Sequence, residues 1–95
     1  MNDRNPFLLI GFGNYLSADK TLAVLSPDSA PIKRMIADGR EKGLLVDASF
    51  GRSTRSVLLM NSGHIILSAL TPNEIIKQLE DSRKGERSKS EAEEN

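Results

Sequence analysis

The chain has no cysteine, no tryptophan and a single histidine in 95 residues. Without cysteine, neither a disulfide framework nor a thiolate metal site is open to it. The one histidine, His64, falls in what reads as a hairpin turn, where a solvent-facing or hydrogen-bonded role is the ordinary one. A serine triad needs a histidine held by a carboxylate beside its nucleophile, and no spacing here specifies that. Clustered metal ligands are missing too. Gly11-Phe12-Gly13 begins like a dinucleotide fingerprint, but the third glycine would fall at Leu16 and no helix opens there. It reads better as a tight turn at a strand end. These absences point away from an enzyme, a metal, a cofactor or a small-molecule substrate.

Long apolar runs and an excess of one charge are also lacking. No segment approaches the ~20 apolar residues that span a bilayer. Met1 to Pro6 shows no basic region followed by an apolar run, so no signal peptide and no membrane partner are expected, and the protein is expected in the cytoplasm. Thirteen basic and thirteen acidic residues cancel. A free-standing nucleic-acid binder is usually basic, so any DNA surface here must come from local clustering. A domain of this length buries only roughly 60% of the surface its unfolded chain exposes. Self-association is then a common source of further stability.

What is present alternates between short apolar runs and turn residues. Phe7-Leu8-Leu9-Ile10 reads as a strand ending at Gly11-Phe12-Gly13-Asn14, and Thr21 to Leu25 as a second. Ser26-Pro27-Asp28-Ser29 turns into a helix with Pro31 at its start, Ile32, Met35 and Ile36 on one stripe, and Gly43 at its end. Leu44 to Ala48 follows as a strand. Val57 to Met60 and Ile65 to Ala69 are two more, joined by a hairpin at Asn61-Ser62-Gly63-His64. Thr71-Pro72-Asn73-Glu74 is a capping box opening a helix that carries Ile75, Ile76 and Leu79.

The expectation is a small single α+β domain over residues 1–81, in the order β-β-α-β-β-β-α. Residues 82–95 have almost no apolar side chain to bury and are expected to be disordered. From Asp81 onward the chain has four basic and five acidic residues, so this tail adds no charge of one sign. The last two strands are nearly continuous apolar runs, which implies two covered sheet faces. If two short helices cover one face, the other face or an edge meets a second subunit. The alternative is that the helices split between the faces and leave a monomer. The oligomer is the favoured reading.

One loop carries chemistry. Phe50-Gly51-Arg52-Ser53-Thr54-Arg55-Ser56 holds two arginines and three hydroxyls, with no acidic residue from Ala48 to Met60. Arginine forks and hydroxyls contact phosphate oxygens, and arginine also reads guanine edges. An ordinary solvated turn is the competing reading. Lys33 and Arg34 near the first helix start are a second basic pair, either a solvated face or additional phosphate contacts.

Taken together, these segments resemble the RemA family (extracellular matrix regulatory protein A) of bacterial DNA-binding regulators. The resemblance is carried by Ile10 to Asn14, by Ser26-Pro27-Asp28-Ser29-Ala30-Pro31-Ile32-Lys33-Arg34, and by Leu45 to Ala48. It continues through Gly51-Arg52-Ser53-Thr54-Arg55 and Ser62 to Ala69, and covers about residues 7 to 80 without gaps. It implies a transcriptional regulator of biofilm-matrix genes that forms a ring-shaped homo-oligomer and binds duplex DNA around its rim. It carries DNA contact to Arg52 and Arg55, with Ser53 and Thr54 between them, and to the basic residue opening the second strand, Lys20. One departure stands out. The family commonly has two consecutive arginines after the glycine, whereas here Ser53 follows Arg52. Each subunit then lacks one phosphate contact, which weakens binding unless Arg55 or Lys20 replaces it. A ring also reconciles neutrality with DNA, because a repeated loop engages one duplex at high effective concentration. The rival from another class is a non-enzymatic interaction or structural module whose arginine loop serves assembly.

Overall fold

In the computed structural model, which describes residues 7–80, six strands and two helices run in the order β-β-β-α-β-β-β-α. The strands are β1 (Phe7–Gly11), β2 (Asn14–Ser17), β3 (Thr21–Leu25), β4 (Leu45–Asp47), β5 (Ser56–Met60) and β6 (Ile65–Ser68). Helix α1 is Ala30–Glu41, and α2 covers 72–80. The α+β class stands. The tail from residue 82, expected to be disordered, lies outside the described residues.

The order contains one strand more than expected. Asn14–Ser17 pairs antiparallel with β1, turning the presumed strand end at Gly11-Phe12-Gly13 into a hairpin. The missed strand is short, and its four residues are exposed or half-buried, so it has no apolar run to announce it.

Strands β3, β5, β6 and β4 form the main sheet in that spatial order. β3, β5 and β6 are antiparallel neighbours, while β4 lies parallel to β6. Local chemistry fixes both ends of α1 and the start of α2. Ser29 Oγ accepts the Ile32 amide at 3.4 Å, and proline sits in the first turn of α1. At the far end Gly43 takes a positive φ of 72°, and the Leu44 amide donates to the Gly39 carbonyl at 2.8 Å. That pairing closes the helix with a left-handed residue, which glycine adopts without steric cost. At α2 the capping box forms as expected. The Thr71 amide donates to Glu74 Oε1 at 2.7 Å, and the Glu74 amide donates to Thr71 Oγ1 at 3.1 Å.

The two helices lie on opposite faces of the sheet. Ile32, Met35 and Ile36 of α1 pack on Val57, Ile65 and Leu67. Ile75 and Leu79 of α2 join Leu8 and Ile10 of β1 against Leu58, Met60 and Ile66. Alternation along β5 and β6 sends successive side chains to the two cores, which is why both strands read as continuous apolar runs. One chain therefore covers both faces itself. The apolar strands that favoured a second subunit are explained without one, and ring assembly rests on other grounds.

The β1–β2 hairpin is tied to this scaffold at two points. Ser68 Oγ donates to the Ile10 carbonyl at 2.7 Å. Gln78 of α2 accepts the Leu9 amide at 2.9 Å and donates to the Leu9 carbonyl at 2.7 Å. The Gln78 amide thus occupies the edge of β1 that would otherwise be open to strand pairing.

Candidate nucleic-acid interface

The arginine loop leaves β4 through a turn built by Asp47. Its carboxylate accepts the Ser49 amide at 2.9 Å and the Ser49 hydroxyl at 2.5 Å. Those two donors hold the Asp47 carboxyl below its usual range, with Arg40 helping and desolvation opposing. The next turn is closed by the Arg52 amide donating to the Ser49 carbonyl at 3.1 Å. Its central residues, Phe50 and Gly51, have φ of 55° and 78°. Two consecutive positive φ values mark a type I′ turn. The loop ends where the Arg55 amide donates to the Ser68 carbonyl at 2.8 Å.

The β1–β2 turn has the same construction. Phe12 and Gly13 have φ of 56° and 77°. Among the described residues, Phe12 and Phe50 are the two non-glycines with positive φ. A bulky residue there costs on the order of 1–2 kcal/mol, so each must be held by its surroundings. They hold each other, with ring centroids 4.8 Å apart and planes at 59°. The Arg52 guanidinium carbon lies 5.5 Å from the centroid of the Phe12 ring, within cation–π range. Phe12 is 49% exposed and Phe50 66%.

Arg52, Ser53 and Arg55 are exposed and Thr54 is half-buried. The two arginines have different neighbours. Arg52 leans on the β1–β2 turn, whereas Ser53, Thr54 and Arg55 line a groove of about 390 Å³ with Ser26, Pro27, Asp28, Thr71 and Pro72. That groove lies between the turns that start α1 and α2. Lys33 and Arg34 are exposed in the first turns of α1, and Arg34 lines a separate groove with Gly39, Lys42, Leu44 and Gly63 that reaches the β5–β6 hairpin. Lys20 is not brought to the loop. Its carbonyl accepts the Asn61 amide beyond the far end of β5, so the strand separates it from Arg55 by about 17 Å at ~3.4 Å per residue.

Sequence reasoning missed the Phe12–Phe50 contact. The available signal was a repeated aromatic-glycine pair, Phe12-Gly13 and Phe50-Gly51, each at a strand end. Among the described residues no group of three or more His, Cys, Asp or Glu is placed to hold a metal ion. No described helix is long and apolar enough to cross a membrane.

Residues 7–79 match the sequence family described as extracellular matrix regulatory protein A-like. The chain is 54% identical over 70 residues to extracellular matrix regulatory protein A of Bacillus subtilis strain 168, covering 74% of this chain and 79% of that protein. It is 51% identical over 73 residues to a candidate regulatory protein of Carboxydothermus hydrogenoformans, covering 77% and 84%. A candidate regulatory protein of Synechococcus elongatus is 52% identical over 73 residues, with the same coverage.

Proposed function

Since the chain belongs to the RemA-like family, we propose that it is a cytoplasmic, non-enzymatic transcription regulator that binds duplex DNA as a homo-oligomeric ring. Matrix genes are the implied target, from the name of the Bacillus subtilis relative. The observation that carries the proposal is the loop Gly51 to Arg55, which presents two exposed arginines on a pinned backbone without a carboxylate in the loop. Arg52 and Arg55 bind phosphate, with Ser53 and Thr54 as hydroxyl donors beside them. Lys33 and Arg34 of α1 are secondary phosphate contacts outside the loop groove, with Arg34 in a groove of its own. Lys20, at the other end of the sheet, meets DNA at a separate point of the ring. Neutrality of the subunit leaves each contact set weak, and repetition around the ring makes the sum strong.

A protein-interaction module is the second reading. It is favoured by the exposed side chains of Phe12, Tyr15, Val46 and Phe50 close to the loop, a surface that another polypeptide could cover. Gel shifts with genomic fragments over a salt series, together with light scattering behind a sizing column, separate the two. The DNA reading expects an oligomer whose affinity falls with log salt. An oligomer indifferent to DNA leaves the interaction module. A monomer overturns the ring.

A further inference from the structure

The phosphate contacts of the arginine loop leave the aromatic pair beside it without a role. Phe12 and Phe50 come from turns far apart in the sequence, yet both adopt a left-handed backbone that bulky residues avoid. The common outcome of the two turns is a tilted pair of rings in contact, with Arg52 over one of them. Neither ring is needed to fill a core, since both are about half exposed or more. From this geometry we propose that Phe12, propped by Phe50, is a positioning residue for Arg52. It holds the guanidinium ready for a phosphate before DNA arrives.

The chemistry suits that role. A cation–π contact gives the guanidinium no oxygen or nitrogen acceptor, so its N–H donors stay available to an oxyanion. Arginine on an exposed loop otherwise samples many rotamers, and fixing them on binding costs affinity. The Phe12 ring removes part of that cost in the free protein. Arg55 lines the polar groove instead, and among the described residues it makes no such ring contact. The inference rests on the DNA-contact reading of Arg52, and the test separates the two.

The test measures fluorescence anisotropy with mixed-sequence duplex DNA over a salt series, for wild type, Phe12→Leu, Phe12→Tyr, Arg52→Ala and the double variant Phe12→Leu/Arg52→Ala. Phe12→Leu should weaken binding roughly two- to five-fold per engaged contact, the usual size of an exposed cation–π interaction. Its salt slope should match wild type, because the arginine still reaches its phosphate. Phe12→Tyr should bind like wild type, and the double variant should be no weaker than Arg52→Ala alone. Should Arg52→Ala leave binding unchanged, the DNA-contact reading fails and takes the inference with it. If Arg52→Ala weakens binding while Phe12→Leu does not, the positioning role alone is overturned. That role is equally lost if Phe12→Leu weakens binding by the same factor in the Arg52→Ala background. Should Phe12→Leu not fold, nuclear magnetic resonance on the free wild type decides. Ring currents must move the Arg52 side-chain protons upfield of those of Arg55, and coincident shifts overturn the proposal.

Discussion

Gly39 of α1 lies so close to Ile65 of β6 that a β-carbon on it would come within 2.7 Å of Ile65 Cδ1. Alanine at position 39 gains about 1 kcal/mol of helix propensity over glycine. Against this, overpacking costs about 1–3 kcal/mol, at the low end here because the Ile65 Cδ1 methyl borders an open groove lined by Gly39 as well. Gly39→Ala should be net destabilising by no more than about 1 kcal/mol in urea unfolding, the clash offsetting the helix gain. Ile65→Val removes the clashing methyl, so it should cost less in the Gly39→Ala background than in wild type. Additive effects would show that the helix backs away from the sheet instead.

Two buried serines at the paired ends of β5 and β6 should respond oppositely to alanine. Ser68 Oγ donates to the Ile10 carbonyl and accepts the Leu70 amide at 3.0 Å. The Ser56 hydroxyl is fully buried and makes no hydrogen bond among the described residues. Ser68→Ala leaves partners unsatisfied and should cost about 1–3 kcal/mol. Ser56→Ala removes a desolvated hydroxyl and should be neutral or stabilising. Chemical denaturation midpoints of the two variants provide the check.

The reciprocal bonds between Thr71 and Glu74 fix where α2 begins. Thr71→Ala should cost about 1 kcal/mol, and Thr71→Ser should recover most of it. Because Gln78 ties this helix to Leu9, hydrogen exchange at the Leu9 amide should quicken along with that of the helix. Unchanged exchange at Leu9 would mean that β1 holds its place without α2.

Acid should weaken the Asp47 turn at the root of the arginine loop. Ser49 donors depress the Asp47 pKa in the folded state. A depressed carboxylate contributes stability that is complete above its unfolded value of about 3.9 and lost as pH falls through the folded value. Asp47→Asn should therefore be less stable than wild type near neutrality, with the difference shrinking below pH ~3.9. Unfolding midpoints of both proteins over an acid series would reveal a constant gap if the carboxylate charge played no part.

Ser53→Arg supplies the arginine that the resemblance leads one to expect. It should tighten DNA binding and steepen the dependence of log affinity on log salt by ~0.9 for each engaged subunit. Stability should change by less than ~0.5 kcal/mol, since Ser53 is exposed. An unchanged salt slope would place position 53 away from the duplex.

Most elements were legible because their signals are local. The Thr71–Glu74 box, the Asn61-Ser62-Gly63-His64 turn and the spacing of Ile32, Met35 and Ile36 each declare themselves within a few residues. β2 was not legible, because Tyr15 is exposed and Leu16 is the lone apolar side chain that it turns toward the core. The distribution of the helices over two faces was also hidden. A continuous run such as Val57 to Met60 says that both faces are covered, but not by what. At the site, the residue types of the loop were legible and their separate neighbours were not. That Arg52 meets Phe12 while Arg55 meets the helix-starting turns depends on contacts between distant segments.

The sheet order β3-β5-β6-β4 has a consequence for synthesis of the chain. The outer strands emerge from the ribosome first and the two central ones last. Until Ile65–Ser68 has been made, β4 has no strand to pair with, and α1 lacks Ile65 and Leu67 from the surface it covers. Pairing that spans so much sequence is slow to form compared with local contacts. A nascent chain halted before β6 can hold at most the β3–β5 pair of this sheet, so its completion is an event of the finished domain.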